Sequence, residues 1–200
     1  MLALSSSAFA LHAAETETSQ IRRSCCLPSE APASRLTDKS LYQLDATWTN
    51  DNRQAVQLSS LKGRPQILVM FFANCKYACP LLVQQLKQIE AALPETTRTN
   101  VGFVLVSFDP KRDTPAALHD YRLQHELPAD RWTLLHGDPG AVLDLAALLG
   151  VKFKADAQGQ FVHSNVISLL NAEGEIVYQQ TGLNSDNQEI VRRVEKLAVH

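Results

Sequence analysis

The sequence predicts an α/β domain, a mixed β-sheet with helices on both faces. Three observations carry that expectation. Two runs, Ile67 to Phe72 and Val101 to Asp109, are almost continuously apolar, as strands buried on both faces should be. Apolar residues at helical spacing follow each run, bounded by capping residues and prolines. With 200 residues, 45% of them apolar, the chain can bury one compact core and still carry a tail.

The chain begins with a small, apolar stretch, Leu2 to Ala14, that ends in Ala13-Ala14 and turns acidic at Glu15. That shape predicts a signal-peptide remnant over residues 1–14 and hence export, although no positively charged start precedes it. It is too short to span a bilayer. Residues 15–39 are rich in Ser, Thr, Glu, Pro and Ala and read as a flexible lead-in. Ile21-Arg22-Arg23-Ser24 lacks the small apolar residues expected ahead of a lipid-modified Cys25.

Order is expected from Ser40, so that residues 40–200 form the folded domain. Leu41 to Thr49 and Ala55 to Leu58 read as two strands of an N-terminal hairpin, turning at Asn50-Asp51-Asn52. After the central strand, Leu82, Leu86, Ile89 and Leu93 keep helical spacing up to Pro94. Thr114 followed by Pro115 is an N-cap with proline at the first helical position, and that helix runs to about Glu126. Trp132 to His136 is a short strand; Asp138-Pro139 opens the next helix, which stops at Gly150. Val151 to Lys154 is extended, and a polar turn covers Asp156 to Gln160. Val166 to Gln180 is a hairpin turning at Ala172-Glu173-Gly174, and Asn187 to Leu197 is an amphipathic helix with Ile190, Val194 and Leu197 on one face. The order hairpin, βαβαβα, hairpin, helix predicts a sheet of four or five strands, parallel then antiparallel. This is a thioredoxin-like architecture with an N-terminal β-hairpin and an inserted βα unit.

Chemistry concentrates at the corner after the central strand. Cys75 and Cys79 fall in the first turns of a helix-like pattern, and residues four apart on a helix share a face. A helix starting at Cys75 would place its thiol near unpaired backbone N–H groups, which favours thiolate, the nucleophile and soft-metal ligand. The corner therefore reads as a reactive dithiol, for redox or for metal. A net charge of −2 leaves no basic field for nucleic acid. Four cysteines grouped as Cys25-Cys26 and Cys75/Cys79 are not a disulfide scaffold.

The segment Cys75-x-x-x-Cys79-Pro80 after a hydrophobic strand, the run Asp109-Pro110-Lys111-Arg112-Asp113-Thr114-Pro115, and His163-Ser164 ahead of a hairpin together resemble the Sco/SenC family. Members of that family are thioredoxin-like copper proteins that assist assembly of the copper centre of cytochrome c oxidase. The resemblance covers roughly Ser40 to Leu197. It implies that Cys75, Cys79 and His163 are metal ligands for copper as Cu(I) or Cu(II), and that the two thiols cycle with a disulfide. It implies as partner the copper-centre subunit of the oxidase or another copper or thiol protein, and an exported, periplasmic location. Two positions depart from the family pattern: Val162 stands where an Asp usually precedes the histidine, and Ala73-Asn74 replaces an aromatic and Thr-rich run.

A Cys₂His set suits both copper oxidation states and also zinc. The competing reading is a metal-free thiol-disulfide reductase that keeps a partner's cysteines reduced, with Cys75 attacking and Cys79 resolving. Cys25-Cys26 is either a bystander in a tail or an auxiliary copper-capture or redox pair. Asp109, Arg112 and Asp113 are read as local helix-start structure in preference to positioning the metal loop. Met70 is read as core, and His119, His125 and His136 as surface or packing residues.

Overall fold

The computed structural model describes residues 36–75, 77–156, 161–183 and 185–198. The predicted leader over residues 1–14, Cys25-Cys26, and most of the turn from Asp156 to Gln160 lie outside them. Nine strands and five helices alternate along the described chain: β1 (Trp48–Asn50), β2 (Ala55–Val56), β3 (Gln66–Phe71), α1 (Ala78–Ala92), α2 (Glu95–Arg98), β4 (Gly102–Ser107), α3 (Pro115–Gln124), β5 (Trp132–His136), α4 (Pro139–Leu149), β6 (Phe153–Ala155), β7 (Phe161–His163), β8 (Val166–Leu170), β9 (Ile176–Thr181) and α5 (Gln188–Ala198).

Seven strands form one sheet in the order β2-β1-β5-β4-β3-β8-β9, and β6 pairs with β7 in a separate ribbon. β3, β4 and β5 run parallel, whereas β8 and β9 continue antiparallel from β3. The mixed sheet is as expected, but it is wider than four or five strands. The N-terminal hairpin lies along β5, with Thr49 opposite His136, and so extends the edge. Every residue of β3, β4 and β8 is buried, which explains their unbroken apolar runs.

Helices cover both faces. Gln179 of β9 donates to the Leu149 carbonyl at the end of α4 (2.9 Å), while its neighbour Gln180 reaches Asn187 beside α5 (3.5 Å). Consecutive strand residues point to opposite faces, so α4 and α5 lie on opposite sides. α1 shares the α5 side, since Gln85 also bonds Asn187 (3.0 Å), and Lys87 ties α1 to the His125 carbonyl at the end of α3 (2.8 Å). Leu82, Leu86 and Ile89 bury the inner face of α1 completely. Each such side chain contributes about 1.5–3 kcal/mol relative to leaving it in water.

The predicted first strand from Leu41 to Thr49 is replaced by a 3-10 turn, Leu41–Gln43, and only Trp48–Asn50 is strand. Ser40 accepts a bond from the Tyr42 N–H (3.2 Å) and donates to the Glu173 carbonyl, a local pattern that competes with a ladder. Tyr42 packs flat on Gly174, whose positive φ (+84°) makes the β8–β9 turn; a Cβ there would meet the Tyr42 ring at 2.5 Å. The predicted turn residue Asp51 is buried. Its carboxylate takes two bonds from Arg122 of α3 (2.5 and 2.8 Å), and Arg122 also donates to the carbonyls of Leu127 and Trp132 (3.0 and 2.9 Å). Burial alone would raise the Asp51 pKa, but the Arg122 hydrogen bonds and charge hold it below the usual value. This pair clamps the hairpin to the domain.

Candidate metal centre

Two strand ends and the ribbon build the site. β3 and β4 run parallel, and both finish beneath the loop that carries Cys75, the crevice where open α/β sheets place their ligands. Phe72 and Phe108 follow these strands directly, and the ribbon docks on them. Phe108 stacks on Phe153 (centroids 5.0 Å, 17°), and Phe161 meets Phe72 and Phe108 edge-on (both 5.2 Å). The β6–β7 register sets Phe153 opposite His163. The same aromatic floor therefore carries the imidazole, whose ring lies 5.0 Å from Phe108 and 6.0 Å from Phe72.

The structure brings Cys75, Cys79 and His163 together: their ligand atoms all lie within 4.8 Å of one another. His163 Nε2 is 3.9 Å from the Cys79 sulfur, and Nδ1 is 3.3 Å from the Ser164 carbonyl. A carbonyl only accepts, so that bond places the proton on Nδ1 and leaves the Nε2 lone pair facing the thiols. Burial holds the His163 pKa below its ordinary 6.5, with the Ser164 bond opposing. The neutral imidazole is the form a metal requires.

The helix begins at Ala78, not at Cys75. Pro80 explains the shift. It lacks an N–H and is tolerated only in the first turn, where no intrahelical donor is needed; a helix starting at Cys75 would bury it in the second. Cys75 nonetheless meets the helix terminus, because the Cys79 N–H donates to its sulfur (3.3 Å). Cys75 is half-buried, whereas Cys79 is 0% exposed. Burial pushes the Cys79 thiol up, and the neighbouring Cys75 adds to the rise, against a backbone bond from Phe72.

Asp113 does more than the local structure read from the sequence. Its buried carboxylate accepts from the Ala73 N–H (2.8 Å) and the Ser107 hydroxyl (2.5 Å), fastening the segment that leads into Cys75. Burial raises its pKa against those two bonds. Asp109 pairs locally with Arg112, and Thr114 caps α3 through the Ala117 N–H (3.3 Å), both as expected. Met70 is core. His136 packs on the Asp113 carbonyl (3.0 Å), and His119 lies 3.6 Å from Asp51. His125 stacks on Tyr121 (4.2 Å). Sequence reasoning missed Tyr121, whose hydroxyl is buried without a hydrogen-bond partner in the wall of a cleft beside Cys75, shared with Asn74, Pro80 and Gln124.

Two predictions arise from this geometry. Asp113→Ala frees the Ala73 N–H and loosens the Cys75 loop; metal affinity at the centre should fall by about 10–100-fold, as for other changes behind a ligand shell, in a competition titration. The depressed His163 pKa contributes stability that is present above its unfolded value near 6.5 and is lost as the pH falls through the folded value. Urea denaturation of the metal-free protein across that range should show a steeper acid loss for the native chain than for His163→Gln.

Two thiols and one imidazole form a soft donor set matched to copper, whose monovalent ion selects thiolate and whose divalent ion accepts imidazole. The family model for SCO1/SenC matches residues 35–199. The chain is 24% identical over 165 residues to the SCO1 protein homolog of Bacillus subtilis (strain 168), covering 80% of this chain and 85% of that protein. It is similar to the structure of Bradyrhizobium japonicum ScoI with copper bound (TM-score 0.65, 24% identity), covering 76% of this chain and 96% of that one. It is also similar to BsSco, a member of the Sco family of cytochrome c oxidase assembly proteins with an identified disulfide switch (TM-score 0.67, 23% identity, covering 76% and 91%). The fold shared with these structures is the thioredoxin-like one expected, and among the described residues no helix is long and apolar enough to cross a membrane. From the match over residues 35–199, the chain belongs to the SCO1/SenC family.

Proposed function

We propose that the protein binds one copper ion through the thiolates of Cys75 and Cys79 and through His163 Nε2, and that it delivers copper to, or helps assemble, the copper centre of cytochrome c oxidase. The observation that carries this reading is the convergence of the three ligand atoms within 4.8 Å. The copper-bound ScoI relative and the oxidase-assembly role of the Sco family support it. As cargo, copper needs a site that opens as well as closes. The two thiols supply that property: exchange with a partner's disulfide, which takes up the two electrons and leaves as two thiols, would join Cys75 to Cys79, remove both thiolate ligands at once and free the metal. In this reading the protein is an exported, periplasmic metallochaperone whose partner is the oxidase copper-centre subunit or another copper or thiol protein.

A second reading, a metal-free thiol-disulfide reductase, has its own observation in the unequal exposure of the thiols. Cys75 is reachable as an attacking group, and Cys79 waits buried behind it as the resolving one. His163→Ala separates the two. A copper carrier loses metal in this variant while its thiols still exchange; a pure reductase keeps its whole activity, and that outcome would leave the carrier without support.

A further inference from the structure

Six side-chain atoms are buried without a hydrogen-bond partner among the described residues, and the Tyr121 hydroxyl is the one whose residue lines a cleft with Cys75. Gln85, Arg98 and Gln180 each bond through another atom of the same side chain. Tyr121 has no second polar atom. A buried O–H that gives up water without gaining an acceptor costs free energy, so its retention calls for a reason. Phenylalanine would fill the same place without that cost.

Two walls place this side chain beside the centre. Ala117, Tyr121 and Gln124 share one face of α3, and the Ala73-Asn74 segment lines the same cleft, which reaches Cys75 and Pro80. Tyr121 is 5% exposed, its ring held by Phe71 (centroids 5.1 Å) and His125 (4.2 Å). Burial raises its pKa first, and negative charge on Cys79, Cys75 and Asp113 raises it further. The hydroxyl therefore stays protonated, a donor, and lies in the field of both sulfurs. Asp113 is already taken, since its carboxylate accepts from the Ala73 N–H and the Ser107 hydroxyl. The Cys79 sulfur receives a backbone bond from Phe72 and faces His163. Cys75 is half-buried, shares the cleft with Tyr121, and takes one bond, from the Cys79 N–H (3.3 Å).

We infer that Tyr121 is a positioning donor for the dithiol, its hydroxyl giving a hydrogen bond to the Cys75 sulfur when that sulfur is a thiolate holding copper. The inference rests on the proposed copper-binding role of Cys75 and Cys79. A neutral thiol sulfur is a weak acceptor, which fits a hydroxyl left unpartnered beside it. A thiolate is charged, and hydrogen bonds to charged groups are shorter and about twice as strong. Loading the site sends the thiol protons to solvent and leaves thiolates. The acceptor that Tyr121 lacks is thus created by the event that fills the centre. Cys75 lies in the loop ahead of α1, which begins at Ala78, so helix packing does not fix its side chain and the sulfur can settle against the hydroxyl.

The test is Tyr121→Phe in the full chain, with Cys25→Ser and Cys26→Ser in every sample. The substitution keeps the ring and relieves the buried orphan, so urea denaturation of the reduced, metal-free protein should show equal or greater stability. Cu(I) affinity, measured by competition with bicinchoninate, should nonetheless fall about tenfold, the lower end of the range for partners behind a metal ligand. The thiolate-to-Cu(II) charge-transfer band should move to longer wavelength, because the sulfur electrons lose a stabilising donor. A merely structural tyrosine gives a different pattern: stability and affinity fall together while the band keeps its wavelength. That pattern would overturn the proposal, and so would native affinity with a native band. Failure of the unsubstituted Tyr121 chain to hold copper would instead defeat the copper reading on which the inference rests.

Discussion

Arg122→Ala is expected to cost about 3–5 kcal/mol of folding free energy, the range for removing one partner of a buried ion pair. The guanidinium is nearly enclosed, and its loss strands the Asp51 carboxylate inside the domain. It also removes the donors to the Leu127 and Trp132 carbonyls, so three acceptors lose their partner together. The sheet edge formed by β1 and β2 should loosen first, because Asp51 sits in their turn. Urea denaturation measures the effect. A loss under about 1 kcal/mol, the level of an exposed pair, would mean that the clamp is not what holds the hairpin.

Cys79→Ser is the second large effect, and it falls on function. Its sulfur lies 3.9 Å from His163 Nε2 and within 4.8 Å of the Cys75 sulfur. A hydroxyl in its place is a hard donor, poorly suited to Cu(I), and it forms no disulfide. Cu(I) affinity should drop by more than about a hundredfold, beyond the range for residues behind the ligands. The Cys75–Cys79 disulfide should be absent from peptide mapping after oxidation. Retention of Cu(I) within a few-fold of the native value would remove Cys79 from the donor set.

The local parts of the fold were legible. Thr114-Pro115, Asp138-Pro139 and Gly150, which ends α4 with φ +68°, are punctuation that acts over a few residues, and the helices they bound are where the pattern placed them. Fully buried β3 and β4 announced themselves as apolar runs. Long-range pairings were not legible. Asp51 meets Arg122 across 71 positions and Asp113 meets Ala73 across 40, and neither leaves a periodic trace. A polar residue in a turn reads as solvated whether or not a guanidinium waits for it. His163 joins the thiols from 84 positions away, and only the family resemblance connected them. The start of α1 was misplaced because helical spacing of the cysteines was weighed above the position of Pro80.

The most direct test of the central claim is anaerobic titration of the fully reduced protein with Cu(I) and then Cu(II), followed by absorbance, on the native chain and on His163→Ala. Copper binding through Cys75, Cys79 and His163 predicts one tightly held ion per chain and a thiolate-to-Cu(II) charge-transfer band that disappears in the variant. No stable copper, beside a Cys75–Cys79 disulfide that forms and reduces readily, would contradict the carrier and leave the reductase.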